Sequence, residues 1–271
     1  MSLVTSDWLE NNIDKVKLLD CSWHMPNVKR NSYEEYIKEH IPGAIFFDLD
    51  KYSDTKTDLP HMLPGLTNWE KIVSDLGIAN DDRIIIYDNS DVLSSCRCWY
   101  NFIYFGHNPN PVSVLDGGFK KWKLEKRKIT KEKFNYPKTN YKASENLDLI
   151  KNKNQINKNI YKKKFLVVDA RSKERFEGIE AEPRKDVKSG SIPNSLCLPF
   201  KDVINEDHTF KKPDQILSKF NDLLGSNDNK EIVFSCGSGV TAAVLALAYS
   251  LINNKYKPSI YDGSWAEYGK I

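Results

Sequence analysis

The chain repeats itself once, and this internal repeat constrains the fold more than any other feature of its 271 residues. Four landmarks recur in the same order: an apolar strand ending in aspartate, a turn containing Ile-Pro, a second apolar strand, and an Asp-Gly turn before a tryptophan. They occupy 18–20, 40–44, 84–88 and 114–122 in the first half, and 166–169, 191–195, 232–236 and 260–265 in the second. The two copies span nearly equal lengths, from Asp20 to Asp116 and from Asp169 to Asp262. A chain built from two copies of one domain is therefore predicted.

Within each copy, short apolar runs alternate with stretches that have helical patterning. This alternation predicts βα units around a mainly parallel sheet, so each copy is expected to be an α/β domain with helices flanking its sheet. Residues 126–144 are rich in Lys and Asn and lack an apolar pattern, which predicts an interdomain linker. The first domain is thus expected at 1–125 and the second at 145–271, opening with a helix that Ser144 caps and that runs toward Ile160.

Composition excludes several classes of protein. Apolar residues make up 40% of the chain, enough for packed cores, and the longest apolar run, 242–248, is far shorter than the ~20 residues of a membrane span. A net charge of +3 is too small to indicate a nucleic-acid or membrane partner. The first residues have neither the basic nor the apolar region of a secretory signal, and five cysteines do not make a disulfide framework. We therefore expect a cytoplasmic protein with reduced thiols.

The two copies differ most after the second apolar strand. There the second copy has the sequence Cys236-Gly237-Ser238-Gly239-Val240-Thr241. A cysteine between a strand end and a helix start lies near unpaired backbone N–H groups and the positive end of the helix dipole. These surroundings favour the thiolate, the nucleophilic form of cysteine; a buried structural cysteine in a tight turn is the alternative. The first copy has Asp88 at the matching position, and its acidic loop would repel an anion, so the first domain is predicted to be catalytically silent.

Arginine is rare here: seven of the 40 basic residues are arginine, and three of those lie within 171–184. Against a background of lysine, a retained arginine indicates a need for a planar, bidentate donor. Arg171 follows the strand-ending Asp169, and the sequence leaves open whether it is a structural partner of that carboxylate or a site residue.

These motifs resemble those of the tandem-rhodanese sulfurtransferases, in particular the 3-mercaptopyruvate sulfurtransferase branch. The similarity covers nearly the whole chain and rests on the cysteine loop, DGSWAE at 262–267, HMLP at 61–64 and FEGIEAEPR at 176–184. The resemblance implies that Cys236 takes sulfane sulfur from a small anionic donor and becomes a persulfide. It also implies that the sulfur then passes to a thiol acceptor, such as thioredoxin or a small thiol, and that no cofactor takes part.

The resemblance further implies the residues of the site. Arg175 and Arg184 match two arginines that bind the donor's carboxylate, and fork-shaped donors suit that planar group. Ser238, His61 and Asp50 match a hydrogen-bonded relay, and an origin of His61 and Asp50 in the first domain places the site at the domain interface. The remaining substrate-binding positions are in the cysteine loop: Gly237, Gly239, Val240 and Thr241. Surface arginines and a structural histidine are the alternative interpretations.

Other activities use related loops. Rhodaneses that prefer thiosulfate tend to have basic residues directly after the cysteine, so neutral Gly237 and Ser238 favour the monoanionic 3-mercaptopyruvate, with thiosulfate as the alternative donor. A non-enzymatic persulfide carrier or redox sensor would need the same thiol but no arginine pair. A cysteine phosphatase would need arginine six positions after the cysteine, where Ala242 stands. The spacing of Cys and His predicts no metal site.

Overall fold

The structure is a computed structural model that describes residues 2–108, 111–225 and 231–271. Its residues group into two units. Unit 1 comprises Met1–Thr55, Leu63–Asn146 and Glu206–Thr209, and unit 2 comprises Lys56–Met62, Leu147–Asn205 and Phe210–Ile271. The division therefore differs from a single cut near residue 145. In particular, Lys56–Met62 groups with unit 2, so His61, which the sequence assigns to the first domain, belongs to the second unit.

Unit 1 is an α/β unit with a five-stranded sheet. Its strands are β1 (Leu3–Val4), β2 (Lys17–Asp20), β3 (Ala44–Phe46), β4 (Ile84–Tyr87) and β5 (Val112–Leu115). Its helices are α1 (Ser6–Glu10), α2 (Ser32–Lys38), α3 (Leu66–Asp75), α4 (Ser95–Tyr104) and α5 (Gly118–Leu124), with a 3₁₀ helix at Ile13–Lys15. The strand order is β1-β5-β4-β2-β3, and every pairing between these strands is parallel.

Unit 2 repeats this arrangement. Its strands are β6 (Ile150–Lys151), β7 (Phe165–Asp169), β8 (Leu196–Cys197), β9 (Glu231–Ser235) and β10 (Ser259–Tyr261). Its helices are α6 (Lys153–Lys162), α7 (Lys173–Glu177), α8 (Pro213–Leu224), α9 (Val240–Ile252) and α10 (Ser264–Tyr268), with 3₁₀ helices at Leu147–Leu149 and Phe200–Val203. The order β6-β10-β9-β7-β8 matches that of unit 1, again with parallel pairs. The prediction of two α/β repeats with parallel sheets is confirmed.

The central strands β4 and β9 position the residues that follow their carboxyl ends. β4 is fully buried along its length, as expected for a parallel strand covered on both faces. In unit 1 the register sets Asp20 opposite Tyr87, and in unit 2 it sets Asp169 opposite Ser235. The residues that follow, 88 and 236, therefore occupy equivalent positions at the carboxyl ends of their sheets.

The opening of unit 2 differs from the sequence-based prediction. The helix expected from Ser144 begins instead at Lys153, after the 3₁₀ helix and β6. Asn152 caps it: its side chain accepts from the Gln155 amide at 3.0 Å, and the Gln155 side chain accepts from the Asn152 amide at 2.9 Å. This reciprocal capping box satisfies two backbone donors, whereas the backbone of 150–151 is taken up by pairing with β10.

The segment 126–144, predicted to be a linker, contains no helix and no named strand but packs along unit 1. Thr130 forms an isolated antiparallel bridge with His40, and Tyr141 is buried. The Tyr136 hydroxyl donates to the Gly43 carbonyl at 3.0 Å. The segment is therefore an integral part of unit 1 rather than a free tether.

No helix among the described residues is long and apolar enough to cross a membrane. All five cysteines are free of disulfides: Cys21 is buried, while Cys197 on the edge strand β8 is half-buried. Within the described ranges, His, Cys, Asp and Glu side chains form no group suited to a metal ion.

The packing of the 126–144 segment gives a stability prediction. Gly77 has φ +72°, and a methyl group there would collide with Tyr136 Cβ and lie 2.5 Å from the Pro137 carbonyl oxygen. Gly77→Ala should lower the free energy of unfolding by about 3 kcal/mol, because backbone strain and collision add together. Gly43→Ala is the matched control, with φ +81° and open space around the position, and should cost about 1 kcal/mol. Urea denaturation followed by circular dichroism measures both, and equal losses would show that the segment is not docked.

Candidate active site

The loop from Cys236 to Gly239 joins β9 to α9 and is fixed by the start of α10. The Cys236 amide donates to Ser264 Oγ at 3.2 Å, and the Cys236 carbonyl accepts from the Trp265 amide at 2.9 Å. The Gly237 carbonyl accepts from the Ala266 amide, also at 2.9 Å. Gly239 has φ +79°, a left-handed conformation that suits glycine and starts the helix. The turn is therefore rigidly held on one side by backbone hydrogen bonds.

On its other side the loop presents free backbone donors. The amides of Gly237 and Ser238 have no hydrogen-bond acceptor among the described residues. The 13-residue helix α9 begins directly after them, and its first N–H groups add the positive end of its dipole. Together these groups form a cradle for an anion, with the 2%-exposed Cys236 at its edge.

The equivalent turn of unit 1 contains its own anionic group. Asp88 Oδ1 accepts from the Ser90 amide at 2.8 Å, and Oδ2 accepts from the Ser95 amide at 2.9 Å, at the start of α4. Burial raises the pKa of Asp88, and hydrogen bonds from Ser95 and Ser90 oppose that rise. The Phe119 amide bonds the Asp88 carbonyl at 2.9 Å, just as Trp265 bonds Cys236. Unit 1 thus has the same cradle, but it is occupied by a side chain that is not a nucleophile.

The two predicted arginines converge on the cysteine loop. Arg175 lies on the short helix α7, whose amino end Ser172 caps, and Arg184 lies in the loop after it. A methyl group at Gly237 would lie 3.5 Å from Arg175 Nη2 and 3.6 Å from Arg184 Nη1. Both guanidinium groups are therefore within one small molecule's reach of the residue next to Cys236, as an anionic substrate requires.

The arginines differ in their pairing. Arg175 Nη2 donates to Glu182 Oε2 at 2.7 Å, whereas the Arg184 guanidinium has no acidic partner in the described part of the chain. Arg171 donates through Nε and Nη2 to Asp169, at 3.1 and 2.8 Å, which identifies it as the structural partner of that carboxylate. Arg184 is thus the unneutralised cation beside the loop.

Of the predicted relay, the structure brings together two members within unit 2. His61 Nδ1 lies 3.0 Å from Ser238 Oγ, and both residues are buried. His61 has φ +60°, which is uncommon for a residue with a side chain. Asp50 lies in unit 1, where its carboxylate oxygens accept from Trp23 Nε1 at 3.1 and 3.0 Å. Val240 and Thr241 form the first turn of α9.

Sequence reasoning missed two contributors. Ser264 holds the Cys236 amide, and Glu182 holds Arg175. Both lie inside motifs that carried the resemblance, DGSWAE and FEGIEAEPR, but neither motif shows which of its residues face the loop.

Both units match a known protein family. The model of the rhodanese-like domain matches residues 5–125 and again 152–270. The chain belongs to the rhodanese-like family. It is 37% identical to the thiosulfate/3-mercaptopyruvate sulfurtransferase 1 of Arabidopsis thaliana, named as mitochondrial, over 98% of this chain and 75% of that protein. It is 35% identical to the 3-mercaptopyruvate sulfurtransferase of Homo sapiens, over 98% and 91% of the two chains.

Among solved structures, SseA from Escherichia coli superposes with a TM-score of 0.87 and 31% identity, over 98% of this chain and 99% of that one. Its structure is described among the 3-mercaptopyruvate sulfotransferases. The chain is therefore a tandem-rhodanese sulfurtransferase, and the cysteine loop lies in the second of its two rhodanese-like domains.

The space above Gly237 is the element of this site that a small substitution tests most directly. Gly237→Ala places a methyl group in ordinary contact with both guanidinium groups, so the fold should be unaffected while the space for an anion is reduced. We expect kcat/KM for sulfur transfer to fall about tenfold or more, with the free energy of unfolding unchanged.

Gly65→Ala is the matched control, since it adds a methyl group in open space at an ordinary φ of −67°. Steady-state kinetics and urea denaturation measure both variants. Wild-type kinetics in Gly237→Ala would show that the donor does not bind between the arginines and the loop.

Proposed function

We propose that this protein transfers sulfane sulfur from 3-mercaptopyruvate through a persulfide on Cys236 to a thiol acceptor and releases pyruvate. The observation that carries the proposal is the convergence of Arg175 and Arg184 on Gly237, directly after Cys236, which lies between β9 and α9. A thiol held beside two carboxylate-binding forks suits a donor that has a carboxylate and a transferable sulfur.

In the first half-reaction the Cys236 thiolate attacks the thiol sulfur of the donor. The S–S bond forms while the C–S bond of mercaptopyruvate breaks, and the bonding electron pair leaves with carbon as the pyruvate enolate. The sulfur keeps its proton, so the product on the protein is Cys236–S–SH. The enolate takes one proton and becomes pyruvate. The arginines hold the carboxylate, so that the sulfur lies in line with the attacking thiolate.

The His61–Ser238 pair supports this step by stabilising charge on the departing group. When His61 Nδ1 carries the proton, it donates to Ser238 Oγ and leaves the serine hydroxyl free to donate to the carbonyl oxygen of the substrate. That oxygen gains negative charge as the enolate forms, so the hydrogen bond strengthens in the transition state. The part that the resemblance implies for Asp50, the third residue of the relay, stays a prediction.

In the second half-reaction an acceptor thiolate attacks the outer sulfur of the persulfide. Its bond to Cys236 breaks, Cys236 leaves as a thiolate, and the acceptor becomes a persulfide. A second acceptor thiol then forms a disulfide with the first and releases sulfide, which balances the reaction without a metal or an organic cofactor. Thioredoxin or a small dithiol supplies both thiols.

The charge around the loop favours the monoanionic donor. Arg171 and Arg175 pair with Asp169 and Glu182, which leaves those four groups with no net charge. Arg184, beside Gly237, adds one positive charge, so the five groups together have a net charge of +1. Mercaptopyruvate carries one carboxylate and matches this charge, whereas thiosulfate carries two negative charges. The Arabidopsis relative is named for both donors, so thiosulfate is the second candidate. A non-catalytic persulfide carrier or redox sensor would not need the arginine pair. The expected cytoplasmic location of the protein stays a prediction.

Formation of the persulfide is tested by mass. Incubation with 3-mercaptopyruvate should add about 32 Da to the protein, confined to the peptide that contains Cys236, and pyruvate should appear in equal amount. Cys236→Ser should abolish the added mass, the pyruvate and the sulfide, while Cys197→Ser, which removes a half-buried cysteine of the same unit, should leave them intact. Pyruvate production by Cys236→Ser would disprove the covalent route.

The role of the unneutralised arginine is tested by a change that keeps its charge. Arg184→Lys loses the planar fork, so we expect kcat/KM with mercaptopyruvate to fall about tenfold, mainly through a higher KM. Arg83→Lys, at a unit 1 arginine that stacks on Trp8, is the control and should behave as wild type. An unchanged kinetic profile in Arg184→Lys would remove that residue from the site.

Higher kcat/KM of the wild-type protein with thiosulfate than with mercaptopyruvate would overturn the choice of donor.

A further inference from the structure

Glu182 is a buried carboxylate to which the reaction described above assigns no step. Its side chain is 1% exposed. Oε1 accepts from Arg171 Nη1 at 2.6 Å and from Arg175 Nε at 3.3 Å, and Oε2 accepts from Arg175 Nη2 at 2.7 Å. Burying a carboxylate is costly, so a chain that keeps one here must compensate it with these two cations.

The Arg171 end of this arrangement is immobile. Arg171 is 3% exposed, donates to both oxygens of Asp169, and donates to the Gly190 carbonyl at 2.8 Å. Its guanidinium carbon lies 4.8 Å from the ring centroid of Trp265, the residue whose amide holds the Cys236 carbonyl. Through Arg171, Glu182 is therefore held against α10, the same helix that fixes the cysteine loop.

The Arg175 end is the one that faces the substrate. Arg175 is half-buried, and the atom that would lie 3.5 Å from a methyl group at Gly237 is Nη2, the same atom that binds Glu182. One hydrogen of Nη2 is used by Glu182, which leaves the other hydrogen and Nη1 for a ligand. Without Glu182, the long arginine side chain would have several rotamers of similar energy.

We propose that Glu182 is a positioning and specificity-determining residue of this sulfurtransferase. It fixes Arg175 beside the cysteine loop, and its negative charge neutralises one arginine so that the site prefers a monoanionic sulfur donor over a dianionic one. The proposal rests on the proposed function, since it concerns the donor of that reaction.

Two variants distinguish the effect of the Glu182 charge from its effect on the position of Arg175. Glu182→Gln keeps the shape and removes the charge, which raises the net charge of Arg171, Arg175, Arg184, Asp169 and residue 182 from +1 to +2 and should favour a dianion. Glu182→Asp keeps the charge, but it is one methylene shorter and cannot reach both arginines while Arg171 stays on Asp169. The first variant therefore tests charge, and the second tests position.

For Glu182→Gln we expect the ratio of kcat/KM for thiosulfate to kcat/KM for mercaptopyruvate to rise about tenfold over wild type, and the rise to shrink at high salt. Glu180→Gln is the matched control: it removes the same charge two residues away, at an exposed carboxylate that pairs with no guanidinium of the described residues, and should leave the ratio within about twofold. An unchanged ratio in Glu182→Gln, or the same change in Glu180→Gln, would contradict the charge effect.

For Glu182→Asp we expect the donor ratio to stay near that of wild type while kcat/KM for both donors falls about tenfold, because Arg175 is no longer fixed. If Glu182 had only a structural role, Glu182→Asp would lower the melting temperature but would not lower kcat/KM for both donors at an unchanged donor ratio. Wild-type kinetics with both donors in Glu182→Asp would contradict the positioning effect.

A binding measurement keeps the inference distinct from the proposed reaction. Pyruvate and sulfate contain no transferable sulfur, so titration calorimetry with them reports the charge preference without turnover. Wild-type protein should bind pyruvate more tightly than sulfate, and Glu182→Gln should reverse or abolish that order. Tighter binding of sulfate by wild type would overturn the inference even if sulfur transfer from mercaptopyruvate is observed. The expected order in a protein that transfers no sulfur would support the inference and count against the proposed function.

Discussion

The structure depends on one constraint: a parallel strand that ends in a tight turn before a helix leaves backbone N–H groups that require a negative partner. In unit 2 this turn runs from Cys236 to Gly239, its carbonyls are tied to the start of α10, and the amides of Gly237 and Ser238 are left without acceptors in the described chain. A thiolate, a persulfide or a donor anion is what such a turn stabilises. The arginines and the His61–Ser238 pair are arranged around that turn.

The same strand-turn-helix backbone serves two roles because the anion at the turn differs. In unit 1 it is a side chain of the protein, whereas in unit 2 the turn is open to an external anion. In unit 1 the carboxylate of Asp88 already accepts the turn's amides, so no external anion is needed. A second contrast lies at the neighbouring strand. Asp169 in unit 2 has Arg171 two residues later, whereas Asp20 in unit 1 has Ser22, and without a cation burial raises the pKa of Asp20 to about 7. At these two positions the copies therefore differ in the group at the turn, Asp88 or Cys236, and in the partner of the strand-ending aspartate, Ser22 or Arg171.

The sequence predicted the fold well because its signals are local. The duplicated landmarks and the apolar runs that become β4 and β9 determined two parallel sheets without any long-range information. It failed where tertiary pairing decides: the helix expected at Ser144 starts at Lys153, because Asn152 and Gln155 form the cap while 150–151 joins the sheet. The grouping of His61 with unit 2 was missed for the same reason, since 177 positions separate it from Ser238. The rarity of arginine drew attention to 171–184 and the resemblance implied the pair Arg175 and Arg184, but only geometry showed that Glu182 pairs with Arg175.

Cys236 lies beside the free amides of the loop, and we predict that it is the reactive thiol of the protein. The most direct measurement compares alkylation of each cysteine by anionic iodoacetate and by neutral iodoacetamide, with the labelled sites resolved by peptide mass spectrometry. Cys236 should react faster than the other four cysteines, and its ratio of iodoacetate to iodoacetamide rates should be well above that of free cysteine and should fall with added salt. A ratio equal to that of free cysteine and insensitive to salt would contradict the account.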